Sequence, residues 1–115
     1  MKEFMLIFRI KDIEDFKPTP EQIQERLNWL AGIAAQNKLV DQGNSLSPFS
    51  GSAKTVRPDN DVTDGPYTEI KEFIVGYVIV RAEAIDEAVE MAKENTIFKL
   101  GGNVEVREVI KHKLH

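Results

Sequence analysis

The run from Phe73 to Val80, Phe-Ile-Val-Gly-Tyr-Val-Ile-Val, constrains the fold more than any other stretch. Apolar residues fall on both of its faces, and β-branched and aromatic side chains dominate it. A strand with one wet face alternates apolar with polar, so this pattern belongs to a strand covered on both sides. A sheet must run through the chain with this segment at its centre. Gly76 leaves one position without a side chain, which marks either a bulge or a place where a ligand or neighbouring backbone comes close.

Directly before that strand stands Thr63-Asp-Gly-Pro-Tyr-Thr-Glu-Ile-Lys-Glu72. Glycine reaches backbone angles that other residues avoid and proline locks its own φ, so Gly65-Pro66 behind Asp64 fixes a turn. Asp64, Glu69, Lys71 and Glu72 then lie near one aromatic ring, Tyr67, at the mouth of a core strand. Polar groups held against an apolar strand make this stretch the leading site candidate.

The remaining elements follow from periodicity and punctuation. Phe4, Leu6, Phe8 and Ile10 alternate with Met5, Ile7 and Arg9, a period of two with both faces partly apolar, hence a second strand. Lys11 to Lys17 has no apolar period and reads as a loop. Thr19-Pro-Glu-Gln22 is a helix start: Thr19 as N-cap, Pro20 in the first helical position, Gln22 closing a capping box. The helix is expected from Pro20 to Gln36, packing Ile23, Leu27, Leu30, Ile33 and Ala34 on the sheet and ending at Asn37, which tolerates the left-handed cap conformation. Trp29 lies off that stripe and covers an interface edge or lines a cleft.

Leu39 to about Ser47 reads as an irregular strand, Pro48 to Ser52 as a turn and Ala53 to Arg57 as a returning strand that Pro58 ends. Asp59-Asn60-Asp61 continues as an acidic loop. A second helix is expected from Ala84 to about Asn95. Gly101-Gly102 breaks the chain before a last strand with Val104, Val106, Val109 and Ile110, whose pattern slips near Glu108 as at a bulge. Strand-helix-strand twice over, with an extra hairpin, gives an α+β fold of the ferredoxin-like βαββαβ type with both helices on one sheet face. Met5, Ile7, Ile74, Val78 and Val80 would leave the opposite face too apolar to stand in water, so a homodimer packed sheet to sheet is expected.

Length and composition bound the function. A chain of 115 residues fits a single domain spanning 1–115. Acidic residues outnumber basic ones by 19 to 15 and the basic ones form no stripe, which disfavours nucleic-acid phosphates as partners. The absence of cysteine removes disulfides, thiolate nucleophiles and cysteine-based zinc sites. No apolar run approaches the roughly 20 residues of a membrane span, and the first apolar run is too short for a signal-peptide core, so a cytoplasmic location off the membrane is expected. His112 and His115 have a spacing compatible with two ligands of one metal, but no third ligand stands nearby, and a solvated terminus accounts for them. No phosphate loop accompanies Gly101-Gly102, and neither a metal nor a cofactor is expected.

Asp64-Gly-Pro-Tyr67 followed by Glu69, Lys71-Glu72 and Gly76, with Gly101-Gly102 before Val104-Glu-Val-Arg107, resembles the signature of the DGPF group of the YCII-related family. Tyr67 stands where that signature has Phe. The resemblance covers most of the chain and implies a dimeric α+β barrel. For other YCII-related proteins a histidine on the first helix and an aspartate in the later loop are proposed as a pair. The position matching that histidine is Arg26, and no histidine precedes His112. Arginine does not deprotonate, so the resemblance carries no proton shuttle over intact. It implies instead that Arg26 pairs with Asp64 or forms a socket for an anion; a solvated helix position is the plain alternative.

Asp64 itself admits two readings. A carboxyl beside an apolar mouth can serve as general acid or base near neutral pH, whereas Asp before Gly commonly caps a turn by accepting from the backbone two residues on. Glu69, Lys71 and Glu72 are pocket groups or a solvated strand entrance; Tyr67 is a core plug or a ring stacked on a ligand. The leading expectation is a small polar or anionic organic ligand near the Asp-Gly-Pro-Tyr loop, with Asp64 as catalytic candidate and Arg26, Tyr67, Glu69, Lys71, Glu72 and Gly76 as binding candidates. Catalysis itself is left open. The competing expectation is a non-catalytic regulatory or protein-interaction module, since relatives in the DGPF group are linked to sigma-factor genes.

Overall fold

The structure, a computed structural model, describes residues 1–12, 16–49, 51–66 and 72–112. Its elements are β1 (Lys2–Ile10), α1 (Pro20–Ala35), β2 (Leu39–Ser45), β3 (Lys54–Arg57), β4 (Asp61–Asp64), β5 (Phe73–Ala82), α2 (Ile85–Lys93) and β6 (Asn103–Glu108). The main sheet has the order β2-β5-β1-β6 with every pair antiparallel, while β3 and β4 form a separate hairpin. Leaving the hairpin out, this is the ferredoxin-like α+β arrangement, with β5 inserted between β1 and β2. The apolar segment Phe73 to Val80 is central as expected.

Phe4, Leu6, Phe8 and Ile10 are buried on one side of β1, where they meet Leu30 and Ile33 of α1 and Ala88 and Ala92 of α2 in a single core. α1 starts as its sequence dictates: Thr19 Oγ1 accepts from Gln22 N at 3.1 Å and Gln22 Oε1 accepts from Thr19 N at 2.9 Å. Asn37 follows it with φ of 59°. The buried face of α1 is narrower than its apolar stripe: Leu30 and Ile33 are buried, but Ile23 and Leu27 are about half exposed, at 49% and 50%. The N-terminal half of the helix overlies a cleft rather than the core. Trp29, expected to cover an interface edge or line a cleft, packs against the core, its ring 6.1 Å from Phe8 in an edge-to-face contact and its Nε1 donating to the Met91 carbonyl at 2.8 Å.

Gly76 marks a bulge. Phe8 pairs with Gly76 and Arg9 with Ile74, so Val75 is the extra residue. The slip corrects one expectation: Val78 and Val80 face the core and are fully buried, and the opposite face carries Met5, Ile7, Ile74, Tyr77 and Ile79. On that face Arg9 and Glu105 form an ion pair, and Arg107 donates to the same carboxylate at 3.0 Å. No bulge occurs at Glu108; β6 pairs with β1 in unbroken register and ends there.

The acidic segment after Pro58 is also more ordered than its composition suggests. Asp59 and Asn60 take left-handed backbone angles, with φ of 66° and 62°, and reverse the chain. The returning strand therefore pairs with Asp61–Asp64 and not with β2. This hairpin packs chiefly on itself and leaves Val56 and Val62 largely exposed. The radius of gyration is 15.5 Å, against about 13 Å for a compact chain of this length.

Candidate functional site

Val75, at the bulge, and Gly76, which has no side chain to fill the space, lie in the wall of an opening beside the N-terminal half of α1. A Cβ at Gly76 would lie 3.1 Å from the Asn44 carbonyl oxygen and 3.8 Å from the Phe8 ring. The opening is a cleft of about 280 Å³. Its apolar wall comes from Phe8, Phe16, Ile23, Val75, Ile97 and Leu100, and its polar groups are Gln22, Arg26, Ser45, Asn95 and Thr96. Such a mix of apolar wall and few polar groups is characteristic of small-molecule sites.

Gln22 and Arg26 are four residues apart on α1 and so share a helix face. No Asp or Glu occurs among the described residues that line the cleft. Among the described residues none forms an ion pair with Arg26. In a chain of net charge −4 the cleft thus holds a cation with no ion-pair partner among the described residues, beside apolar side chains.

Asn95 caps the short 3₁₀ helix Thr96–Leu100, its Oδ1 accepting from the Ile97 N–H at 2.8 Å. That bond fixes the amide orientation, because only the oxygen can accept, and it leaves the NH2 group turned away from the cap. Asn95 is 7% exposed, and its Nδ2 has no hydrogen-bond partner among the described residues. Gln22 has the same constraint: its Oε1 is committed to the Thr19 N–H, so its free donor is Nε2.

The residues singled out from the sequence are divided between two places. Arg26 and Gly76 line the cleft. Asp64 does not; it lies in β4 with its side chain 64% exposed and its Oδ1 2.6 Å from Lys54 Nζ. The expected turn cap is also not made in that form, since two residues on stands Pro66, which has no N–H. Glu72 accepts from Asn103 Nδ2 at 3.1 Å, tying the start of β5 to the start of β6. Tyr67, Glu69 and Lys71 lie outside the described residues, as does His115. Among the described residues no group of three or more His, Asp or Glu could hold a metal ion, and no helix is long and apolar enough to cross a membrane.

Gln22 was legible only as part of a capping box and Asn95 only as the approximate end of the second helix. The available signal for Gln22 was its spacing from Arg26; for Asn95 it was its place as a possible Asn cap at the end of the second helix, ahead of Thr96–Leu100. The defining sequence pattern of the YCII-related domain matches residues 4–113. No curated protein matches the chain.

Proposed function

Because the chain belongs to the YCII-related family, whose name fixes no reaction, we propose a function from the site itself: this protein binds a small organic anion in the cleft beneath α1. The observation that carries the reading is Arg26, a guanidinium without a described ion-pair partner at a cleft whose described lining contains no carboxylate. Guanidinium groups bind carboxylates through paired hydrogen bonds, and an apolar surround strengthens that attraction. The Asp64-Gly65-Pro66 turn supports membership of the DGPF group within the family.

Thermal-shift and calorimetric titration with small carboxylates and their neutral amides tests the proposal. Carboxylates raise the melting temperature of the wild type, the amides do not, and Arg26→Gln abolishes the difference. Equal behaviour of wild type and Arg26→Gln would refute it. Acid-base catalysis by Asp64 finds no support in the cleft, because that carboxylate lies on the hairpin and pairs with Lys54. Asp64→Asn accordingly leaves carboxylate binding unchanged.

The working form is a homodimer joined through the bare sheet face, where Met5, Ile7, Tyr77 and Ile79 form an apolar strip between charged margins. Native mass spectrometry reads its mass directly, and a monomer would count against the interface. A second reading, a regulatory module acting through a protein partner in transcription, is favoured by the projecting hairpin. There Val56 and Val62 are 72% and 52% exposed beside water-facing carboxylates. Full function of a hairpin variant with both valines changed to Thr would exclude that reading.

A further inference from the structure

We infer that the cleft takes monocarboxylates with an apolar body: the carboxylate stays at the rim on Arg26 and the body enters the interior. The inference rests on the reading of the cleft as an organic-anion site and extends it to the chemical class of the ligand. Its basis is where each lining residue stands between solvent and core.

Phe8, Val75 and Ile97 are only 5%, 4% and 5% exposed and belong to the hydrophobic core, so the inner wall of the cleft is the core itself. Gln22 and Arg26 are partly exposed on α1, and Ser45 is exposed at the end of β2. These three polar residues form the rim. Two polar residues reach inside, Asn95 and Thr96. Asn95 offers a ligand nothing, because its Oδ1 serves the Ile97 N–H and its Nδ2 is shut off from the surface. The Thr96 hydroxyl is then the one polar side-chain group left to the interior among the described residues.

Charge argues in the same direction. Arg26 is the one ionisable side chain in the described lining. It can pair with one carboxylate at the rim, where both ions keep part of their hydration. A second anionic group carried inward meets an apolar wall and no described cation, and an unpaired buried charge is strongly disfavoured. A hydroxylated body exchanges water for an interior with one hydroxyl to replace it. A hydrocarbon body has neither cost and gains by leaving water. The interior therefore discriminates against dicarboxylates and polyhydroxylated acids. A cleft of about 280 Å³ has the space of about nine waters at roughly 30 Å³ each, which suits a ligand of about nine non-hydrogen atoms.

The test titrates the full-length protein calorimetrically with pentanoate, heptanoate, 6-hydroxyhexanoate and adipate. Wild type is expected to bind heptanoate at least about tenfold tighter than pentanoate, since two more methylenes leave water. 6-Hydroxyhexanoate has the same number of non-hydrogen atoms as heptanoate but ends in a hydroxyl, and adipate ends in a second carboxylate. Each is expected to bind at least about tenfold weaker than heptanoate. Val75→Thr keeps the shape of the inner wall and adds a hydroxyl to it, so it is expected to reduce the gap between heptanoate and 6-hydroxyhexanoate to about threefold or less. Circular dichroism verifies the fold of that variant, and the wild-type series decides alone if it does not fold. Equal affinity for pentanoate and heptanoate, tight binding of adipate or 6-hydroxyhexanoate, or an unchanged gap in folded Val75→Thr would overturn this inference and leave the anion site standing. Failure of every carboxylate on the wild type would overturn both.

Discussion

Replacing Trp29 with Phe asks how firmly α1 is held over the cleft. The indole makes two contacts: an edge-to-face packing with Phe8 of β1 and a hydrogen bond from Nε1 to the Met91 carbonyl of α2. Phe keeps a six-membered ring near Phe8 but loses the donor. The Met91 carbonyl is not orphaned, since it also accepts from the Glu94 N–H at 3.3 Å. The hydrogen bond then contributes its net value of about 1 kcal/mol and not the larger penalty of a stranded group. The smaller ring buries less apolar surface, which costs about another 1 kcal/mol at the usual value per methylene. An unfolding entropy of roughly 2.1 cal/mol/K per residue over 115 residues gives about 0.24 kcal/mol/K. A loss of about 2 kcal/mol thus lowers the melting temperature by about 8 °C. Trp29 is the only tryptophan, so unfolding must be followed by far-ultraviolet circular dichroism and not by fluorescence. Because α1 carries Gln22 and Arg26, carboxylate affinity should weaken in parallel. A shift below about 2 °C would refute the reasoning, since neither the bond nor the packing could then be holding the helix.

Three further perturbations probe other levels of the structure. Thr19→Ala removes the hydroxyl that accepts from Gln22 N and should cost about 1 kcal/mol in urea denaturation, or about 4 °C. Gly43→Ala and Gly65→Ala form a matched contrast, since both sites have positive φ, of 69° and 86°. At Gly43 a Cβ would stand 1.6 Å from the Tyr77 carbonyl oxygen, while at Gly65 it meets nothing within 4 Å. The first should cost more than about 3 kcal/mol and the second about 1–2 kcal/mol, so equal losses would contradict the close approach of β2 to β5. Glu105 is held below its ordinary value of 4.5, first by its hydrogen bond from Arg9 and then by that from Arg107. A lowered folded value gives stability that is complete above 4.5 and lost as pH falls from there toward the folded value. Glu105→Gln should flatten the acid side of the stability profile measured by chemical denaturation; an unchanged slope would argue against the ion pair.

The sequence disclosed those parts of the fold that rest on one local rule. The capping box at Thr19, the left-handed Asn37 and the doubly apolar β5 each follow from nearby residues, and the structure has them in place. Long-range competition decided the rest. Which face of β5 meets the helices depends on the bulge at Val75, and one extra residue turns Val78 and Val80 inward. The hairpin partner of β3 was hidden because Asp59 and Asn60 read as loop residues until their backbone reversal joins β4 to it. The helix stripe suggested Ile23 and Leu27 as core, but a stripe does not say how far along its length the sheet continues. Of the candidate site residues, Arg26 and Gly76 came together in the cleft, while Asp64 was drawn away with the hairpin.

The cap at Asn95 illustrates how the worth of a local stability device depends on where the fold places it. A cap needs only an acceptor oxygen, and Ser, Thr, Asp and Asn meet that need almost equally well. They differ in what they leave over. Ser and Thr leave a hydroxyl that can turn either way, Asp leaves a second acceptor with charge, and Asn leaves a pair of donors. At a cap on open surface the remainder faces water and has no consequence. At position 95 it is enclosed, and the Nδ2 of Asn95 has no hydrogen-bond partner among the described residues, so the unmatched donor costs stability there. Asn95→Ser keeps an oxygen for the Ile97 N–H and removes the orphaned donor, so it should cost little stability, whereas Asn95→Ala loses the cap. Comparable losses of stability in Asn95→Ser and Asn95→Ala would contradict this separation, because only the first retains an oxygen for the Ile97 N–H.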